Sequence, residues 1–190
     1  MIRALIFDCF GVLYRDNLSM LYEAVPESAH GALQDIIRAT DHGFLTRQEY
    51  YEEIADLASA TTQDIQAIEQ CQHQRDEAMI AYTQTFKPHY KIGLLSNIDA
   101  HSMEHMFPEP QRSELFDVFV ISGEVGLTKP TAEIFQLAAV RLGLAPDECV
   151  MIDDLPKNVE GARVAGLHSI LFTSQQQLQR DLSALLEHHA

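Results

Sequence analysis

The sequence predicts an α/β protein: a doubly wound parallel sheet with an all-helical domain inserted after its first strand. Three features carry this. A short apolar run ending in a polar tip opens the chain and recurs four times from Lys91 onward. Helices with broad apolar stripes separate several of the later runs, as crossovers between parallel strands require. Between the first run and the second lies a long stretch with helical spacing and no strand signal, the mark of an insertion.

In chain order, residues 2–7 form an apolar run suited to a strand buried on both faces. Asp8 sits at its carboxyl end and Gly11 follows. Ligands of open α/β sheets bind outside that end, although an acid there also serves as an ordinary turn residue. From Arg15 the pattern turns helical. Tyr22, Leu33, Ile36 and Ile37 have helical spacing, and Gly43 marks a break. Thr46-Arg47-Gln48-Glu49 reads as a capping box opening a helix over 50–60, and Thr61 or Thr62 caps the next, which carries Ile65 and Ile68. The expected division is a core of 1–14 and 75–190 and a helical domain of 15–74, with 75–85 already a core helix. The later runs are 92–95, ending in Ser96-Asn97; 118–121, ending in Ser122-Gly123; 149–152, ending in Asp153-Asp154; and 169–172, ending in Thr173-Ser174. Helices are expected over 131–142, closed by Gly143, and 159–165, closed by Gly166. In a parallel sheet Asp8, Ser96, Asp153 and Asp154 then share one edge.

Composition narrows the partners. Of 190 residues 46% are hydrophobic and 22% charged, enough to bury a core. The 28 acidic residues against 13 basic ones give a net charge of −15, which repels nucleic acid and anionic membrane. An anionic substrate then requires a metal ion or a few well-placed cations. The three cysteines, Cys9, Cys71 and Cys149, lack a Cys-x-x-Cys pair, arguing against disulfides or zinc. With no leader-like start and no apolar run of membrane-spanning length, a cytoplasmic setting is expected. Residues 186–190 partly resemble an expression-tag scar. The oligomeric state has no signature in the sequence.

Four segments carry a family resemblance. Asp8-Cys9-Phe10-Gly11-Val12-Leu13, Leu95-Ser96-Asn97, Thr128-Lys129-Pro130, and Ile152-Asp153-Asp154 with Asn158, Gly161 and Ala162 resemble, in order and spacing, the four motifs of the haloacid dehalogenase-like hydrolases. The chain is most similar to their sugar-phosphate (glucose-1-phosphate) phosphatase branch and to the phosphatase domain of soluble epoxide hydrolase. The resemblance implies a Rossmann-like core, a cap domain over 15–74, Mg²⁺, and a small phosphate ester as substrate. It makes Asp8 the nucleophile. It makes Asp8, the Phe10 backbone carbonyl and Asp154 the metal ligands, with Asp153 and Asn158 behind them, an assignment in which the adjacent acids Asp153 and Asp154 could exchange places. Ser96, the Asn97 backbone N–H and Lys129 would hold phosphate oxygens. The chemistry of the residues agrees: a carboxylate can attack phosphorus, a hard cation suits oxygen ligands, and a lysine offsets transition-state charge.

One position departs from the pattern. Phosphatases of this superfamily usually carry an acid two residues after the nucleophile, and here stands Phe10, which cannot transfer a proton. Haloacid dehalogenases carry an aromatic residue there, and Arg38 would be a candidate halide binder, but the Asp153-Asp154 pair favours a cation. Cys9 followed after five residues by Arg15 has the spacing of cysteine phosphatases, yet the intervening residues are bulky. Binding of a phosphorylated ligand without turnover is the non-catalytic alternative.

Overall fold

The computed structural model describes residues 1–15, 18–41, 43–72, 74–99, 103–104 and 106–188, the side chains of 15, 19 and 70–72 apart. Its strands in chain order are β1 (Ala4–Phe7), the short β2 (Tyr14–Arg15) and β3 (Gln74–Arg75), β4 (Lys91–Ser96), β5 (Val118–Ile121), β6 (Cys149–Asp153) and β7 (His168–Leu171). The expected parallel sheet is present, with five strands in the order β5-β4-β1-β6-β7. β1 lies at its centre, which is why the first run is apolar on both faces.

Helices α1 (Ser19–Ala24), α2 (His30–Asp41), α3 (Arg47–Ala58) and α4 (Thr62–Gln72) fill the segment between β2 and β3. They are followed by α5 (Glu77–Gln84), α6 (Gln111–Leu115), α7 (Ser122–Val125), α8 (Ala132–Leu142), α9 (Pro156–Val164) and α10 (Gln175–His188). The two faces of the sheet are buried separately, as period-two alternation dictates. Leu5, Phe7 and Cys9 pack with Met79, Ile80, Leu178 and Leu182 from α5 and α10. Ala4 and Ile6 face the other way, against Ile134, Phe135 and Ala162 from α8 and α9. A third apolar cluster, built on Leu21, Leu33, Ile54 and Ile65, belongs to α1–α4 alone.

Two boundary expectations need correction. Residues 74–75 form a strand rather than the start of a helix: β3 pairs antiparallel with β2, so the two ends of the helical segment are tied together. Asp76 then caps α5, its carboxylate accepting from the N–H groups of Ala78 and Met79. Helix α9 starts at Pro156 rather than 159, because proline is accommodated in the first helical turn. Residues 186–188 continue α10, and Leu186 packs on the core; His189 and Ala190 lie outside the described residues.

Caps read from the sequence hold elsewhere. Thr46 and Glu49 form the reciprocal capping box of α3, and Thr61 accepts from the Asp64 N–H at the head of α4. No helix of the described residues is long and apolar enough to cross a membrane.

Candidate active site

Strand register assembles the site. Phe7 lies opposite Leu94 on one side and Ile152 on the other, so one further step sets Asp8 beside the ends of β4 and β6. The Asp8 N–H donates to the Ile152 carbonyl at 2.9 Å, continuing the ladder past the strand. Cys9 turns into the core on the opposite face, where it is fully buried among apolar side chains. The Cys9 thiol therefore does not share the site with Asp8, and the Arg15 side chain of the cysteine-phosphatase spacing lies outside the described residues.

Lys129 is the centre of the local electrostatics. Its ammonium is 2.7 Å from Asp8 Oδ1 and 2.7 Å from Asp153 Oδ2, and only 4% of the residue is exposed. Burial alone would drive its proton off, but the two carboxylates reverse this and raise its pKa. Asn97 sets the lysine in place: its amide donates to the Lys129 carbonyl at 3.0 Å and its carbonyl accepts the Lys129 N–H at 2.8 Å. The Asn97 side chain is thus occupied in bracketing the lysine loop. Gly161 on α9 permits the approach of that loop, since a Cβ there would overlap the Pro130 carbonyl oxygen.

The adjacent acids differ. Asp153 is wholly buried, and its carboxylate accepts from Lys129, from the Leu155 N–H at 2.9 Å and from the Asn158 amide at 2.9 and 3.1 Å. Burial opposes its ionisation, yet Lys129 and these donors hold its pKa below the usual carboxylate value. Asp154 is partly exposed, and burial together with the Asp153 charge raises its pKa. Asp8 is likewise pushed up by burial, with Lys129 opposing. Carboxylate oxygens of Asp8, Asp153 and Asp154 lie within 4.8 Å of one another, an all-oxygen donor set that suits a hard cation such as Mg²⁺. Gly11, at φ +78°, lets the turn pass the Asp154 carboxylate where any Cβ would overlap it.

These groups open onto a cavity of about 890 Å³ between the sheet edge and α2–α4. Asp8, Phe10, Ser96, Asn97, Lys129 and Asp154 all line it. Ser96 Oγ is buried and, among the described residues, has no hydrogen-bond partner, an unmet group that an incoming oxygen anion would satisfy. The remaining predicted residue, Asn158, supports Asp153 from α9. Arg38, the candidate halide binder, lies elsewhere: its side chain is 68% exposed and pairs with Asp35 on the outer face of α2.

Sequence reasoning missed the roof of the cavity. Asp41, Arg47, Tyr50, Tyr51 and Glu69 line it from α2–α4, with Lys157 on α9, and none was singled out for the site. Arg47 forms an ion pair with Glu69, lies 3.7 Å from Asp99 and stacks over the Tyr50 and Tyr51 rings. The one available signal was an acid, Asp41, placed just ahead of the helix-breaking Gly43.

Similar proteins point the same way. A family model described as haloacid dehalogenase-like hydrolase matches residues 2–166. A drimenol cyclase from Aspergillus calidoustus is 26% identical over 194 residues, covering 96% of this chain and 36% of that protein. A phosphoserine phosphatase from Thermus thermophilus is 40% identical over 72 residues, 33% of this chain and 29% of that one. The match thus spans only about a third of each relative's own length. Among solved structures, a HAD family enzyme from Bacteroides thetaiotaomicron in complex with magnesium and inorganic phosphate superposes with a TM-score of 0.77 at 19% identity, over 92% of this chain and 96% of that one. At that identity the likeness speaks for the fold.

Proposed function

The chain belongs to the haloacid dehalogenase-like hydrolases, and from that membership we propose that it is a Mg²⁺-dependent phosphatase of a small phosphate ester, a sugar phosphate by preference. The observation that carries this reading is the buried Ser96 hydroxyl, without a partner among the described residues, lining the same cavity as Asp8 and the Lys129 ammonium. A neutral donor, a cation and a carboxylate nucleophile around one empty space suit a phosphoryl group.

The residues present fit Mg²⁺. Asp8, Asp154 and the Phe10 carbonyl would hold it, with Asp153 and Asn158 orienting the set from behind. When bound, the ion offsets the repulsion between the nucleophilic carboxylate and the phosphate oxygens. The protein's own groups do the rest. Asp8 attacks phosphorus, giving an aspartyl-phosphate that water then hydrolyses. Lys129 and Ser96, with the Asn97 N–H, hold the oxygens over which the charge spreads. Asp153 keeps the Lys129 ammonium charged and aimed, and α1–α4, within the proposed cap of 15–74, roof the cavity and restrict what enters. Cys9 and Cys149 are buried and not joined in a disulfide, which accords with a cytoplasmic setting.

A dehalogenase reading rests on Phe10 alone, while the outward Arg38 and the acid cluster speak for the phosphatase. The test is a panel of phosphate esters with Mg²⁺, with and without chelator, run beside a 2-haloacid panel. Chelator-sensitive phosphate release that Asp8→Asn loses by several orders of magnitude is expected. Halide release without metal would replace the phosphatase with a dehalogenase, and tight phosphate binding without turnover would replace it with a binding protein.

A further inference from the structure

Phe10 leaves the proposed phosphatase without a proton donor at the usual place, and the structure brings another acid to the same cavity. Asp41 ends α2, in the helical segment opposite the sheet edge, and lines the cavity together with Asp8, Phe10 and Lys129. We propose that Asp41 is the general acid of the reaction, delivering its carboxyl proton to the departing ester oxygen. This rests on the phosphatase reading above.

Three observations support it. The first is anchorage. The Ser122 hydroxyl, at the head of α7 on the core, donates to the Asp41 carbonyl at 2.5 Å while accepting the Ile98 N–H at 2.9 Å. Gly43 lies close against Gly123, where a Cβ would come within 3.4 Å of its carbonyl. The end of α2 is therefore fixed to the sheet edge rather than held only by its own helices. The second is availability. Among the described residues no side chain or N–H is bonded to the Asp41 carboxyl, whereas Asp8 and Asp153 are engaged by Lys129 and backbone donors, and Asp99 lies 3.7 Å from Arg47.

The third is protonation. Asp41 is raised to about 7, by burial first and by Asp99 further, against the opposing pull of Lys129, Lys157 and Arg47. These groups come from the loop before α8, from α9, from α3 and from the segment after β4, and α3 also brings the Tyr50 hydroxyl into the field of Asp41. Its place at a helix C-terminus, where a negative charge is disfavoured, acts in the same direction as burial. A carboxyl near 7 is matched to donating a proton at neutral pH and taking one back. Lys129 is also the partner of Asp8, so the same ammonium acts on the nucleophile and on the acid across the cavity from it.

The proton balance closes. As Asp8 Oδ bonds to phosphorus, the bond from phosphorus to the ester oxygen breaks and that oxygen takes the Asp41 proton, leaving as the alcohol. The Asp41 carboxylate then accepts a proton from water whose oxygen attacks the aspartyl-phosphate. The bond to Asp8 breaks, phosphate leaves, and protonated Asp41 and ionised Asp8 are restored.

The experiment compares wild type, Asp41→Asn and Asp41→Glu as full-length proteins on an alkyl phosphate and on 2,4-dinitrophenyl phosphate, whose leaving group needs no proton. Asp41→Asn should lose ~10² to 10⁴-fold in kcat/KM on the alkyl ester and little on the dinitrophenyl ester. Its kcat on the latter should fall as aspartyl-phosphate accumulates, and Asp41→Glu should retain part of the alkyl activity. In wild type, kcat/KM for the alkyl ester should decline above pH 7 and that for the dinitrophenyl ester should not, a readout that needs no variant to fold. Equal losses on both esters, no loss on either, or identical pH profiles would overturn the assignment. Wild type that hydrolyses neither ester would overturn the phosphatase reading itself.

Discussion

At residue 153 a carboxylate accepts from Lys129, Leu155 and Asn158, whereas its neighbour Asp154 faces the cavity under the repulsion of that same charge. The two substitutions to asparagine should therefore separate. Asp153→Asn turns an amide donor toward donors and leaves Lys129 with one partner, so it should lower stability by a few kcal/mol, the range for breaking buried charged networks. Asp154→Asn removes a disfavoured charge, so without metal its melting temperature should match or exceed wild type while Mg²⁺ activation is lost. Thermal melts and Mg²⁺ titration of activity check both. Asp41 allows a pH test independent of catalysis. Its folded pKa, about 7, lies above the ordinary value of 3.8, so the folded state retains a proton that the unfolded chain gives up. The contribution is fully present below about pH 4 and is lost as pH rises through 7, at up to roughly 1.4 kcal/mol per unit of pKa difference. Relative to Asp41→Asn, wild type should lose stability from pH 4 to 7, with the gap level above that. Phe10→Asp completes the set: it should gain little while Asp41 is present and restore alkyl-ester turnover in the Asp41→Asn background, as kcat/KM on that ester will show.

At the scale of elements, the turn after β1 depends on one glycine. Gly11 combines φ +78° with direct approach to Asp154, so Gly11→Ala is strained twice over. It should cost more than the ~1 kcal/mol of an ordinary backbone penalty and should displace Asp154, weakening Mg²⁺ activation beyond what the stability loss explains. Urea unfolding beside a Mg²⁺ titration tests both halves. The glycine, the strand ahead of it and the acid between them were legible in the sequence, because burial on both faces demands an apolar run and strand register fixes the position of the acid at its end. The capping box at Thr46 was legible for the same kind of reason, being a local hydrogen-bonding rule. The β2–β3 pairing was not, since two-residue strands brought together over some sixty intervening residues carry no periodic signal. Nor was the cavity roof: Asp41 and Arg47 acquire their surroundings from helices packed in three dimensions, and the glycine and capping box beside them mark helix ends rather than a site.

For the whole molecule, the governing quantity is the net charge of −15, spread over a chain whose proposed substrate is itself an anion. Close to the site Lys129 and Lys157 offset part of that charge, and Mg²⁺ when bound would offset more, but at a distance an approaching phosphate ester meets net repulsion. Charges separated by more than a Debye length are screened by salt, about 10 Å at 0.1 M and about 30 Å at 0.01 M, whereas the buried pairs of Lys129 with Asp8 and Asp153 are screened much less. Raising ionic strength should therefore ease entry without loosening the catalytic geometry. With free Mg²⁺ held constant, kcat/KM for a dianionic phosphate ester should rise from low salt to about 0.15 M, through KM, while kcat stays level. A fall in kcat/KM over that range would mean that a local positive funnel, rather than the overall charge, governs approach. Charge reversal of distant acids such as Glu187 would then leave the rate unchanged, whereas repulsion by the whole molecule predicts an increase as such charges are removed one after another.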